Sequence, residues 1–152
     1  MPMLAHANLD NVEGMHFTTD TASGHKVEMD SAEAVGGTNL AARPKELIYV
    51  SLAGCTGMDA ISVLRKMRQP VTAFSVDVEG LEQTEDHPKY WTHIRVIFQV
   101  KGDVDPDKLK KSINLSRTRY CGVSASLRDS VKIDYRYVLN GEAVDLGDPE
   151  RE

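Results

Sequence analysis

Hydrophobic and polar positions along the chain follow three patterns, and the least common one lies in its first half. From Glu46 to Leu64 the residues read as a helix that is apolar nearly all round, with Tyr49, Cys55 and Asp59 the only ionisable side chains after Glu46. A surface helix carries one apolar stripe and one charged face, so this helix is expected to be buried. Its apolar run falls short of the roughly 20 residues that a bilayer span needs, which puts the expected burial inside protein. Gly54 and Gly57 flank the cysteine. Each costs about 1 kcal/mol against alanine in a helix interior, which predicts close approach of another backbone there.

The second pattern is alternation with period two, the mark of half-buried strands. It appears at Met15–Thr19 and Lys26–Met29, with turn residues Asp20–Gly24 between them, and an edge strand is expected over Leu4–Leu9. It returns at Val71–Glu79 with Phe74, Val76 and Val78 on one face, and at Trp91–Lys101 with Ile94, Val96, Phe98 and Val100 inward. Those two stretches predict an antiparallel hairpin. A last strand is expected at Val131–Val138, burying Val131, Ile133, Tyr135 and Tyr137. The third pattern is an amphipathic helix opened by Asp105 as cap and Pro106 in the first turn, with Leu109, Ile113 and Tyr120 recurring at near-helical spacing, followed by a short helix over Val123–Asp129. Asp30–Ala42 reads as a loop, and Pro44 opens the central helix.

Strands, central helix, two strands, helix, short helix and strand make an α+β protein, one domain over residues 1–152 with antiparallel sheets packed on the long helix. Residues 139–152 are polar and acidic and are expected to form a loosely ordered tail. One small sheet cannot cover a helix that is apolar all round. A second copy of the chain is expected to supply the missing wall, giving a homodimer.

Composition narrows the function. Hydrophobic and charged fractions of 41% and 27% are ordinary for a globular protein, and the net charge of −5 comes without any basic run longer than Lys110–Lys111, which argues against nucleic acid. The N-terminus shows no basic segment followed by a long apolar core, so the expectation is a cytoplasmic protein with no membrane partner. Cys55 and Cys121 are too few for a disulfide scaffold. With no C-x-x-C pair and with His6, His16, His25, His87 and His93 scattered, neither a metal nor another cofactor is expected. Cys55 reads either as a shielded nucleophile or as a small buried hydrophobe, and Cys121 carries the same ambiguity. Tyr49, Met58, Phe98 and Tyr120 read as core or pocket wall.

The runs Arg43–Asp59 (RPKELIYVSLAGCTGMD), Leu115–Ser124 (LSRTRYCGVS) and Ser23–Asp30 (SGHKVEMD) resemble the OsmC/Ohr family, closest to its YhfA-like branch, and the resemblance extends to about Tyr137. It implies an intertwined α+β homodimer of OsmC-like fold whose central helices pack together. It also implies a cysteine-based peroxidase that reduces organic hydroperoxides or hydrogen peroxide in oxidative-stress defence. Cys55 matches the attacking cysteine and Cys121 the resolving one, with an external dithiol, lipoyl in some relatives, as reductant. The alternative within the family is a non-peroxidatic protein that binds a small apolar or thiol-reactive ligand or senses redox state.

Two departures from the family pattern bear on the nucleophile. Active members use an arginine from the N-terminal strands and a glutamate early in the central helix, yet no arginine precedes Arg43, and the glutamate position falls on Lys45 with Glu46 one place along. One residue is about 100° of helix, so Glu46 need not take the same direction. Arg43 and Lys45 stand as alternative activators of the thiol, or as helix-start solvation. Asp59 either caps a helix in a partner copy or bonds a backbone group, and near Cys55 it would oppose thiolate formation.

Overall fold

Alternation in the N-terminal third produces β1 (Ala5–Leu9), β2 (Phe17–Thr21) and β3 (Lys26–Met29), an antiparallel sheet in that spatial order. The computed structural model describes residues 1–149. Residues 1–49 and 50–152 form two compact units, and the long helix α1 (Pro44–Lys66) crosses the boundary. In the first unit the β2–β3 turn places Gly24 at φ 83°, a left-handed conformation that glycine adopts without cost. The segment after β3 folds around a buried carboxylate. Asp30 accepts hydrogen bonds from the Ser31, Thr38 and Leu40 amides and from the Thr38 hydroxyl. Those donors, the Thr38 hydroxyl first, hold its carboxyl well below the usual carboxylate range. The sequence read this stretch as plain loop; a 3-10 turn at Glu33–Val35 lies within it.

The second unit carries a four-stranded sheet in the order β4 (Val71–Gln83), β5 (Trp91–Gly102), β6 (Lys132–Leu139), β7 (Glu142–Leu146). Period two was a sound guide to its buried face, because Ile94, Val96, Phe98 and Val100 are all buried. The β4–β5 pair is antiparallel as expected, but β5 and β6 run parallel, so the expectation of purely antiparallel sheets is corrected. The cause lies in the connection. Helix α2 (Pro106–Leu115), a π-helical segment (Ser116–Tyr120) and α3 (Gly122–Leu127) carry the chain back before β6 starts, as parallel pairing requires. The loose tail expected over 139–152 is corrected for its first part, since Leu139 ends β6 and residues 142–146 form β7, while residues 150–152 lie outside the described residues. Asn140 and Gly141 join the two strands with φ of 51° and 88°, the geometry of a two-residue hairpin turn of type I′.

Helix α1 differs most from expectation. It is buried on one face only, through Leu52, Thr56, Gly57, Ala60, Val63 and Leu64. Val50 and Met58, at 63% and 73% exposure, lie on an open face, so the helix is not buried all round within one chain. Among the described residues of one chain, the close approach expected at the glycines is met only at Gly57. At Gly57 it is made by side chains, because a Cβ there would stand 3.1 Å from Val76 Cγ2 and 3.7 Å from Phe74 Cε1. At Gly54 nothing among the described residues lies within 4 Å. Nor is the helix too short for a bilayer: it has 23 residues, and an 18-residue window averages a hydropathy of 1.6, so length and composition alone would permit a span. Its place is nonetheless the core of the second unit, because Leu52 and Leu64 are fully buried among protein side chains with Phe98, Leu109 and Ile113.

Candidate active site

Helix α1 presents Cys55 and, four residues on, Asp59 on the same side. Opposite them the chain leaves α2 through the π-helical segment, where Cys121 N–H bonds to Ser116 O at 2.8 Å across a widened turn. Such widened turns recur at functional sites because they re-aim the residues that follow. Here the chain turns extended at Cys121, which then caps α3: the Ser124 N–H donates to Cys121 Sγ at 3.3 Å. Both cysteines are free thiols, Cys55 half-buried and Cys121 buried. Cys55 Sγ, Cys121 Sγ and a carboxylate oxygen of Asp59 all lie within 4.8 Å of one another.

Hydroxyl groups organise the carboxylate. The fully buried Ser116 donates to Asp59 Oδ2 at 2.9 Å, and with that proton committed the buried Thr56 hydroxyl, 3.0 Å away, donates to Ser116. The electrostatics of Cys55 follow from this setting. Burial pushes its thiol above the ordinary value of 9.0; the Val123 N–H works in the opposite direction, while the Cys121 side chain and the charge of Asp59 raise it further. These groups include no cation. Tyr135, beside Ser124, is also pushed up by burial, and the Arg117 guanidinium lies 4.9 Å from its ring centre.

Of the residues singled out from sequence, the fold joins Cys55, Cys121 and Asp59. Within the chain Asp59 takes the Ser116 hydroxyl and its charge presses on the thiol. Arg43, Lys45 and Glu46 belong to the first unit. Arg43 is held by Ala41 O and the Asn39 side chain, and Glu46 reaches back to the Arg43 N–H at 3.0 Å, one half of a capping box. Phe98 is core as expected, whereas Met58 and Tyr120 (52% exposed) are not walls within one chain. Sequence reasoning missed Ser116, Ser124 and the Val123 amide, which no spacing rule marks. It expected no metal, and Cys55, Asp59 and Cys121 form a group of potential donors assembled from distant segments rather than from one short motif.

Comparison with known proteins covers most of the chain. A family model described as OsmC-like protein matches residues 37–136. Protein YhfA of Escherichia coli (strain K12) is 33% identical over 127 residues, which cover 83% of this chain and 91% of that protein. A hypothetical protein from Aquifex aeolicus VF5 superposes with a TM-score of 0.76 at 25% identity, covering 92% of this chain and 98% of its own. An organic hydroperoxide resistance protein OsmC from Legionella pneumophila superposes with a TM-score of 0.61 over 90% of this chain and 96% of its own, and at 14% identity it shares the fold alone.

Proposed function

We propose that this chain, which belongs to the OsmC-like protein family, is a thiol-dependent peroxidase with Cys55 as nucleophile and Cys121 as resolver. The observation that carries the reading is the approach of the two free sulfurs to within 4.8 Å from segments 66 residues apart in sequence. The Cys55 thiolate attacks the terminal peroxide oxygen, the O–O bond breaks, and the alcohol leaves with a proton, giving a sulfenic acid. The Cys121 thiol displaces water from that sulfenic acid to form a disulfide. An external dithiol, of which a lipoyl group is one kind, then returns both sulfurs to thiols by exchange and takes the disulfide itself. The Val123 N–H at Cys55 favours the thiolate form that the first step uses, and the Ser124 N–H holds Cys121 Sγ in place at 3.3 Å. Such a cycle suits a reducing, cytoplasmic setting, in which both cysteines rest as thiols.

One observation favours a second reading, a family member that binds a thiol-reactive ligand or senses redox state without turnover. It is the raised Cys55 pKa with Asp59 beside it and no cation among the groups that act on it. Consumption of cumene hydroperoxide with dithiothreitol or a lipoyl dithiol separates the two. Turnover in the wild type that vanishes in Cys55→Ser supports the peroxidase; equal turnover in both, or none in either, overturns it. The proposal includes a homodimer formed through the open face of α1. Exposed Val50 and Met58 on either side of Gly54, where a neighbouring helix has room to approach, support it. A dimeric mass in light scattering at micromolar protein is expected, and a monomeric one would remove that part of the proposal.

A further inference from the structure

We propose that Cys55, Asp59 and Cys121 form a three-donor site for a thiophilic divalent cation of the zinc class, open at a fourth position. The inference rests on the donor geometry and stands apart from the peroxidase reading. Tetrahedral zinc with bonds of about 2.3 Å to sulfur and about 2.1 Å to oxygen places two sulfurs about 3.8 Å apart and a sulfur and an oxygen about 3.6 Å apart. The three donors already lie within 4.8 Å of one another, so each separation closes by at most about 1.2 Å on binding. A disulfide of about 2.05 Å demands a larger approach of the same two sulfurs.

Donor chemistry selects the ion. Two thiolates and one carboxylate suit zinc, cobalt or cadmium and are poor partners for magnesium or calcium, which take oxygen ligands. Metal sites also need groups that aim their ligands, and these are in place. The Ser116 hydroxyl, itself backed by Thr56, occupies Asp59 Oδ2 at 2.9 Å, and the Ser124 amide holds Cys121 Sγ at 3.3 Å. Without an ion the cluster gathers a carboxylate and two thiols with no positive charge among them. A divalent cation reverses that penalty, because each negative neighbour becomes a ligand. Binding would release the two thiol protons to solvent and leave the fourth position to water. Sulfurs held by the metal are withdrawn from thiol–disulfide exchange, so occupancy is a reversible brake on any redox chemistry of the pair.

Anaerobic titration of the reduced full-length chain with Co2+ tests this. The expected result is one ion per chain, the near-ultraviolet sulfur-to-cobalt charge-transfer band, visible bands of tetrahedral intensity, and release of two protons. Both cysteines should stop reacting with a disulfide reagent and recover with EDTA. Cys121→Ser should lose the charge-transfer band's second sulfur contribution and most of the affinity, Asp59→Asn should weaken binding at least tenfold with both thiols still titratable, and Ser116→Ala should weaken it by about 10-fold. Absence of the band in the wild type overturns the site, whatever the variants do, and equal affinity in Asp59→Asn removes the carboxylate from it. Peroxide turnover measured without metal is independent of every one of these readings.

Discussion

The two faces of α1 share one sequence character and have opposite surroundings. On one, Leu52, Thr56, Ala60 and Leu64 are fully buried, and Gly57 is so close to Val76 that a methyl group would crowd it. On the other, Val50 and Met58 stand in the open, and a Cβ at Gly54 would meet nothing within 4 Å among the described residues. Cys55 and Asp59 lie at the seam between them, neither buried nor exposed. The comparison teaches that apolar character fixes how much of a helix must be covered, while the chain's own sheet covers only half of it. The Cys55 sulfur stands where cover by the chain ends, which makes it accessible to small molecules and sensitive to whatever closes the open face.

The largest effect is expected on the covered face. Leu52→Ala removes a side chain with no exposed surface and should cost about 3–4 kcal/mol of unfolding free energy, read from the midpoint of a urea transition. A loss below about 1 kcal/mol would mean that this face repacks freely and that the two faces differ less than their exposure suggests. Next comes the open face. Met58→Asp places a charge where an apolar partner surface is proposed and should weaken self-association by about 100-fold, while leaving the stability of the isolated chain nearly unchanged. Sedimentation across a concentration series reads the first and dilute thermal melting the second. An unchanged association constant would remove the open face from the interface.

At the seam the expected effects are smaller and depend on pH. Asp59→Asn removes the like charge that raises the Cys55 thiol, so alkylation of Cys55 by iodoacetamide at pH 7 should quicken several-fold. Because the folded chain holds the thiol above its ordinary value of 9.0, it favours the protonated form relative to the unfolded chain. That contribution to stability is complete below the unfolded pKa and is lost as pH rises through the folded one. Urea midpoints should therefore fall on the alkaline side in the wild type, less steeply in Asp59→Asn, and without this component in Cys55→Ser. Parallel profiles for all three would show that the seam carries no such coupling. Asp30 behaves in the opposite sense. Its lowered pKa contributes stability above the ordinary carboxylate value of 3.8 that is lost as pH falls, so Asp30→Asn should flatten the acid limb of the same profile.

Period two made most of the second unit's buried face legible, because alternation reports which side of a strand faces the core: Ile94 to Val100 and Tyr135 to Tyr137 were all placed inward. Alternation carries no information about neighbours, so the parallel β5–β6 pairing could not be read from it. The hairpin at Asn140–Gly141 was legible through its turn chemistry and was passed over because the residues around it are polar. For the site, Asp59 could be set beside Cys55 from helical spacing alone. The meeting with Cys121 came only through family resemblance, since it depends on a widened turn at Ser116–Tyr120 that leaves no mark in hydropathy. An all-round apolar helix likewise announces that it must be covered without saying by what.

The smallest expected effects set the two glycines of α1 against each other. Alanine gains up to about 1 kcal/mol over glycine in a helix interior when its methyl group meets no obstacle. At Gly57 the new Cβ would stand 3.1 Å from Val76 Cγ2, so Val76 has to shift by a few tenths of an ångström. Gly57→Ala should therefore leave stability unchanged or slightly lower. At Gly54 the methyl group meets nothing within 4 Å among the described residues, so Gly54→Ala should stabilise the chain by up to about 1 kcal/mol at protein concentrations low enough to keep it monomeric. The same methyl group would hold a partner helix away, and self-association should weaken as the isolated chain grows more stable. Opposite signs for folding and association in this single variant are what a helix open on one face to a second copy requires. A gain at every concentration, with association unchanged, would mean that the open face meets water.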